Sequence, residues 1–216
     1  MRILAVSDTV SDIINSPLLP KRFGDVECVL GCGDLSMRYM EYIVSMLNRP
    51  FYYVHGNHVQ TYLLTADGGV QYEAQGCINI HGKIINHKGV LIAGIEGSML
   101  YNNGPYQYTE VQIERRLLRL TPRLWWNQRR HGRALDILIT HAPPQGIHDG
   151  EDLCHQGFVA YLKFMQRYKP LYLIHGHTHL YRLDAQRVTQ YGGTTVLNAY
   201  GYQVIEFDEE ALTSPR

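Results

Sequence analysis

Short apolar runs rich in β-branched residues recur along the chain: Ile3-Leu4-Ala5-Val6, Val26-Glu27-Cys28-Val29-Leu30, Phe51-Tyr52-Tyr53-Val54, Ile137-Leu138-Ile139 and Leu171-Tyr172-Leu173-Ile174. Runs of this length, largely without polar alternation, predict strands buried on both faces. The run 88–95 predicts a central strand, and 77–85 and 196–207 supply further β-rich segments bounded by glycine. Between them, 37–48 places Met40, Ile43, Val44 and Leu47 at helical spacing, which predicts a crossover helix with one face for a sheet. Val111, Ile113, Leu117, Leu118 and Leu120 extend a helical pattern through 110–130, and Thr121-Pro122 splits it into two helices. A last helix is predicted over 157–168, where Pro170 pushes Lys169 out of the helical region and leads into the final strand. The pattern predicts a two-sheet α/β core.

Each of the five runs ends in polar chemistry, in the order Ser7-Asp8, Gly33-Asp34, Gly56-Asn57-His58, Thr140-His141 and Gly176-His177-Thr178-His179. Open sheets gather functional groups beyond the carboxyl ends of their strands, so five such ends can converge on one site. Carboxylate and amide oxygens mixed with imidazole suit manganese, iron, zinc or nickel better than magnesium or calcium. A carboxylate can bridge two cations roughly 3.5 to 4 Å apart, a separation that clamps the attacking and leaving oxygens of a phosphoryl centre. Asp34 is the natural bridge. Any one of these residues alone reads as a cap or turn former. The ordered set and the two alternate-position histidines after Gly176 carry the metal reading.

This series resembles the calcineurin-like metallophosphoesterase superfamily, whose pattern is Asp-x-His, Gly-Asp, Gly-Asn-His, His and Gly-His-x-His. The match runs from Asp8 to His179. The resemblance implies an α/β/β/α sandwich with two mixed sheets flanked by helices. It implies one divalent metal on Asp34, Asn57, His141 and His177, and a second on Asp8, Asp34 and His179. It also implies that His58 acts near the substrate, as an acid toward the leaving oxygen or as a stabiliser of phosphoryl charge. The implied reaction is attack of a metal-held hydroxide on phosphorus, in line with the leaving alkoxide, with no covalent protein nucleophile. Three positions depart from the family pattern. Val10 stands where the first histidine ligand is expected, Val59 follows His58 where an acidic residue is frequent, and Met37 replaces a second Asp after Gly-Asp. Val10 cannot bind a cation, so its site is expected to fill the vacancy with water, Ser11 or Asp12, or to leave it open.

Length and composition fit one compact domain, since 45% hydrophobic and 19% charged residues exclude a disordered chain, and the resemblance makes it a single metallophosphoesterase domain over residues 1–216. The formal net charge of zero removes any global attraction to nucleic acid or an anionic membrane. No export signal and no apolar run of about eighteen residues is present. Cys28, Cys32, Cys77 and Cys154 form neither a Cys-x-x-Cys pair nor a disulfide framework, which predicts a reduced, cytoplasmic protein. Cys32, two residues before Asp34, reads as a buried strand-end thiol.

The loop 97–108 is rich in glycine and tyrosine. Its rings can line a pocket and stack on a base, which points to a small, nucleotide-like phosphate ester, or they can pack on one another. His148, Asp149, Glu151, Asp152 and His155 follow His141 and read as a solvated polar loop or as pocket-shaping groups. Arg115, Arg116, Arg119, Arg123, Arg129, Arg130 and Arg133, interleaved with Trp125 and Trp126, raise a nuclease alternative. Arginines on amphipathic helices usually meet water, and the tryptophans read as core or interface anchors. Val10 raises a second alternative, a metal- or nucleotide-binding regulator with little catalysis.

Overall fold

The computed structural model describes residues 1–58, 62–64, 67–181 and 185–208. The strands, in chain order, are β1 (Arg2–Ser7), β2 (Cys28–Cys32), β3 (Phe51–Val54), β4 (Leu63–Leu64), β5 (Val70–Gln71), β6 (Cys77–Asn79), β7 (Ile84–His87), β8 (Val90–Ile95), β9 (Ser98–Met99), β10 (Gln107–Tyr108), β11 (Ile137–Thr140), β12 (Tyr172–His175), β13 (Val188–Tyr191), β14 (Thr194–Asn198) and β15 (Gly201–Glu206). The helices are α1 (Leu19–Phe23), α2 (Met37–Leu47), α3 (Glu110–Arg119), α4 (Thr121–His131) and α5 (Val159–Tyr168).

Two mixed sheets form the body, one ordered β15-β1-β2-β3-β6 and the other β13-β14-β12-β11-β8-β7. In the first, β1, β2, β3 and β6 run parallel and β15 returns antiparallel to β1, pairing Arg2 with Glu206 through Ser7 with Gly201. In the second, β8, β11, β12 and β14 are parallel, with antiparallel edges β7 and β13. The side-chain alternation of the strands sorts the apolar runs into layers. Ile3, Ala5, Leu30, Ile92, Ile137, Ile139 and Ile174 fill the space between the sheets. Leu4, Val6, Val29 and Phe51 face outward onto α1 and α2. Leu91, Ala93, Leu138 and Leu173 face outward onto α3, α4 and α5. Each fully buried Ile or Leu contributes about 1.5 to 3 kcal/mol relative to an exposed one. The architecture is the expected α/β/β/α sandwich.

The helices follow their local signals. Ser36 caps α2, accepting from the Tyr39 amide at 3.3 Å, and Met37, Met40, Ile43 and Leu47 are buried. Thr109 and Gln112 close a reciprocal capping box at the start of α3. The predicted split of 110–130 occurs at Leu120, with Pro122 in the first turn of α4. α5 lacks a side-chain cap of its own, and the Glu110 carboxylate accepts its first amides, Val159 at 3.2 Å and Ala160 at 2.5 Å.

Three expectations need adjustment, and one short helix was not anticipated. The second strand spans Cys28–Cys32 rather than 26–30, because Asp25 and Val26 lie in the turn after α1. The segments 77–85 and 196–207 each split between sheets: β6 and β15 belong to the first, β7 and β14 to the second. The short helix α1 follows from Pro20 in its first turn and the buried Leu19 and Phe23, a signal too brief for periodicity to show. Trp125 and Trp126 are exposed rather than core residues, and Arg129 stacks over Trp125 at 3.9 Å.

Candidate metal centre

The ligand-bearing segments follow the carboxyl ends of β1, β2, β3, β11 and β12, and backbone bonds sew these ends together. The Asp8 amide donates to the Gly33 carbonyl at 3.1 Å, Gly97 to His55 at 2.9 Å, Ala142 to Gly97 at 3.3 Å and Gly176 to His141 at 3.0 Å. Three of the candidate ligands leave their strands in the left-handed region: Asp8 at φ 65°, Asp34 at 51° and His177 at 66°. Such conformations in non-glycine residues cost on the order of 1 kcal/mol each and cluster where a surrounding structure overrides local preference. The glycines beside them leave room for the approach. A Cβ on Gly33 would enter the ring of His141, and one on Gly176 would overlap the Ser7 hydroxyl and the Asp8 carboxylate.

Four donor atoms converge, three of them gathered around His141 Nε2. Asn57 Oδ1 lies at 2.9 Å, His177 Nδ1 at 3.1 Å and Asp34 Oδ2 at 3.3 Å. The opposite nitrogen of each imidazole reaches a backbone carbonyl: His141 Nδ1 donates to Cys32 O at 2.9 Å and His177 Nε2 to Cys154 O at 2.7 Å. Metal-ligating histidines are oriented by this kind of outer partner, which fixes the tautomer and aims a lone pair inward. The Asn57 amide is oriented in the same sense, its Nδ2 donating to the Tyr101 hydroxyl at 3.1 Å. With both rings neutral, four lone-pair groups face one another with no hydrogen among them, an arrangement that requires a cation or a captured proton. Without metal, burial opposes charge on His141, but the Asp34 and Asp8 carboxylates push its pKa up to about 9. Burial pushes His177 down to about 3. The donor set fits a divalent cation.

Asp8 and His179 stand beside this cluster. The Asp8 carboxylate accepts the His177 amide at 3.0 and 3.1 Å and the Ser7 hydroxyl at 2.5 Å, and His179 Nε2 lies 3.8 Å from it. Burial raises the Asp8 pKa, an effect that nearby His141 and the Ser7 hydrogen bond offset in part. The His179 ring leans on Tyr200 and bonds Tyr181 at 2.9 Å. His58 presents its amide to Asp34 Oδ1 at 2.8 Å, and with Asp8, Asp34, Val10 and Tyr39 it lines a cavity of about 250 Å³. Val10 is 50% exposed at that rim. Met37 packs in the core beneath α2 and so does not face the centre, and Val59 lies outside the described residues.

The remaining candidates separate by contact. In the tyrosine loop, Tyr101 reaches Asn57, whereas Tyr106 stacks on His55 and the Tyr108 hydroxyl bonds Glu96 at 2.7 Å. In the polar loop, His148 bonds buried His175 at 3.0 Å, while the Asp152-paired ring of His155 packs on His177. The Cys32 thiol is buried and points to the Ile174 carbonyl at 3.6 Å, as a structural thiol does. Arg133 is a core residue, paired with buried Asp136 at 2.9 Å. Sequence reading named Ser7 beside Asp8 without a role and missed Tyr101 as an individual residue and the carbonyls of Cys32 and Cys154. Of the missed groups, only Tyr101, within the tyrosine loop, carried any signal.

The calcineurin-like phosphoesterase profile matches residues 1–181. The chain belongs to the calcineurin-like phosphoesterase family. Its fold is similar to the crystal structure of TT1561 of Thermus thermophilus, at 17% identity and a TM-score of 0.58, covering 93% of this chain and 89% of that one. It is also similar to GAP50, described as the anchor in the inner membrane complex of Plasmodium, at 14% identity and a TM-score of 0.55, covering 92% and 70%. A search of curated protein sequences finds no significant match. Members of this family are, in general, metal-dependent phosphoester hydrolases. No described helix is long and apolar enough to cross a membrane.

Proposed function

We propose that this phosphoesterase domain hydrolyses a small, nucleotide-like phosphate mono- or diester in the cytoplasm. On this reading one cation is held by Asp34, Asn57, His141 and His177, and a second, more weakly, by Asp8, Asp34 and His179. The observation that carries the proposal is the convergence of four oriented lone-pair groups on one point, with both imidazoles and the amide held from behind. Manganese, iron, zinc or nickel suits the mixed oxygen and nitrogen donors. Bound there, a divalent cation supplies Lewis acidity toward phosphoryl oxygen and lowers the pKa of water toward about 7.

The residues of this chain supply the rest. The two oxygens of Asp34 have different partners, Oδ1 accepting the His58 amide and Oδ2 turned to His141. His58 lines the same cavity as Asp8 and Asp34, and on this reading it serves the leaving oxygen. It acts there as a proton donor or as a stabiliser of developing charge. Arg129 and Arg130 lie in the last turn of α4, which leads to the amino end of β11, the end opposite His141. That placement favours a small ester over a nucleic-acid strand.

Val10 favours one alternative, a metal-binding regulator with little turnover, because an isopropyl group replaces an imidazole at the rim of the second site. Hydrolysis of bis(p-nitrophenyl) phosphate and p-nitrophenyl phosphate by metal-stripped protein titrated with Mn²⁺ decides between them. Turnover that is lost in His58→Ala and changes its metal dependence in Val10→His supports the esterase. A silent natural chain that becomes active as Val10→His supports the regulator.

A further inference from the structure

Beside the small cavity lies a second, larger and open one of about 740 Å³, lined by Thr9, Val10, Asp12, Arg187, Tyr200 and Gln203, among others. Thr9 and Val10 belong to both linings, so they form the shared wall between the space over Asp8 and Asp34 and the outer groove. The inner cavity suits a phosphoryl group, and the outer one falls in the usual size range of sites for drug-sized or cofactor-sized ligands. We infer that the outer groove receives the larger substituent of a phosphodiester and that Val10 sets this preference. The inference rests on the phosphoesterase reading above.

Three observations carry it. Val10, small, apolar and half-exposed, lines both cavities, so a longer side chain there would take space from each. The groove's far wall is the first half of β15 and the residue before it, held in register against β1 up to the Ser7–Gly201 pair, so it is built on sheet rather than on a free loop. The lining combines an aromatic ring at Tyr200, a guanidinium at Arg187 whose Nη1 is anchored to the Tyr200 carbonyl at 2.9 Å, and the Asp12 carboxylate. An aromatic side chain beside hydrogen-bonding groups of both signs matches a substituent that is itself flat and carries donors and acceptors, as a nucleoside does.

Two chromogenic diesters test this, thymidine 5′-(p-nitrophenyl) phosphate and methyl p-nitrophenyl phosphate. In both, water adds to phosphorus and p-nitrophenolate leaves, so only the retained substituent differs. With the Mn²⁺-loaded full chain, kcat/KM is expected to favour the thymidine ester over the methyl ester by at least about tenfold. That ratio is expected to collapse in Val10→Trp, which adds bulk at the lining common to both cavities, and in Gln203→Trp, which fills the groove away from the metal ligands. Melting curves establish that each variant is folded, and Asp12→Trp, at an exposed position on the same groove, serves as a third probe should one of them fail to fold. Equal efficiency toward both esters, or a ratio that no folded variant alters, overturns the subsite alone. Hydrolysis of neither ester, nor of p-nitrophenyl phosphate, overturns the esterase reading and the subsite with it.

Discussion

His177 Nδ1 lies 3.1 Å from His141 Nε2, nitrogen facing nitrogen, while the far side of each ring is fastened to a backbone carbonyl. Two neutral imidazoles so oriented would repel, and the oxygens of Asn57 and Asp34 beside them supply no hydrogen. Whatever sits at this point must be positive. On the proposed metal reading the centre exchanges a proton for a cation, which links its stability, metal affinity and pH response.

The pH response follows from signs. His141 is raised to about 9 without metal, with Asp34 and Asp8 overcoming the effect of burial. A raised folded pKa gives stability that is fully present below the ordinary imidazole value near 6.5 and is lost as pH rises through about 9. Burial would raise Asp34, but His141 outweighs it and holds this carboxyl well below the usual range. Its contribution is therefore present at neutral pH and lost on acidification. Chelator-treated protein is expected to lose on the order of 5 °C of melting temperature between pH 7 and 9.5. Saturating Mn²⁺ should abolish most of that decline, since the cation replaces the proton. Identical alkaline declines with and without Mn²⁺ would count against the arrangement.

Tyr101 holds the Asn57 amide so that its oxygen faces the centre. Tyr101→Phe removes the acceptor for Asn57 Nδ2 and leaves the amide free to turn. The expected result is a loss of about ten- to a hundredfold in affinity for the tighter metal, with the melting temperature of the metal-free protein little changed. Isothermal titration with Mn²⁺ measures the first and a thermal melt the second. Unchanged affinity would show that Asn57 is held without the hydroxyl.

Gly33 and Gly82 both have positive φ, 93° and 65°, yet they differ in what a side chain would meet. A Cβ on Gly33 runs into the His141 ring, whereas one on Gly82 meets nothing within 4 Å. Gly33→Ala is expected to destabilise by about 2 to 4 kcal/mol, combining left-handed strain with overpacking, and Gly82→Ala by about 1 kcal/mol from strain alone. Urea unfolding of the two variants separates these contributions. Equal losses would mean that the packing around His141 yields.

The sequence by itself determined the five buried strands, because continuous apolar runs need no knowledge of their neighbours to be recognised. It also determined the order of the polar groups that follow them, and with it the family. The division of α3 from α4 was legible in Thr121-Pro122, a covalent property of the chain.

Only the tertiary structure decided which sheet each part of 77–85 and 196–207 joins, since composition is unchanged where the chain crosses from β6 to β7 or from β14 to β15. The outer partners of the centre were hidden for a related reason. The carbonyls of Cys32 and Cys154 are backbone groups that every residue carries, and they acquire a role only when His141 and His177 arrive from positions 109 and 23 residues away. Side-chain chemistry is written locally in the sequence, whereas orientation and the placing of Val10 in the lining of two cavities arise from packing between segments far apart in the chain.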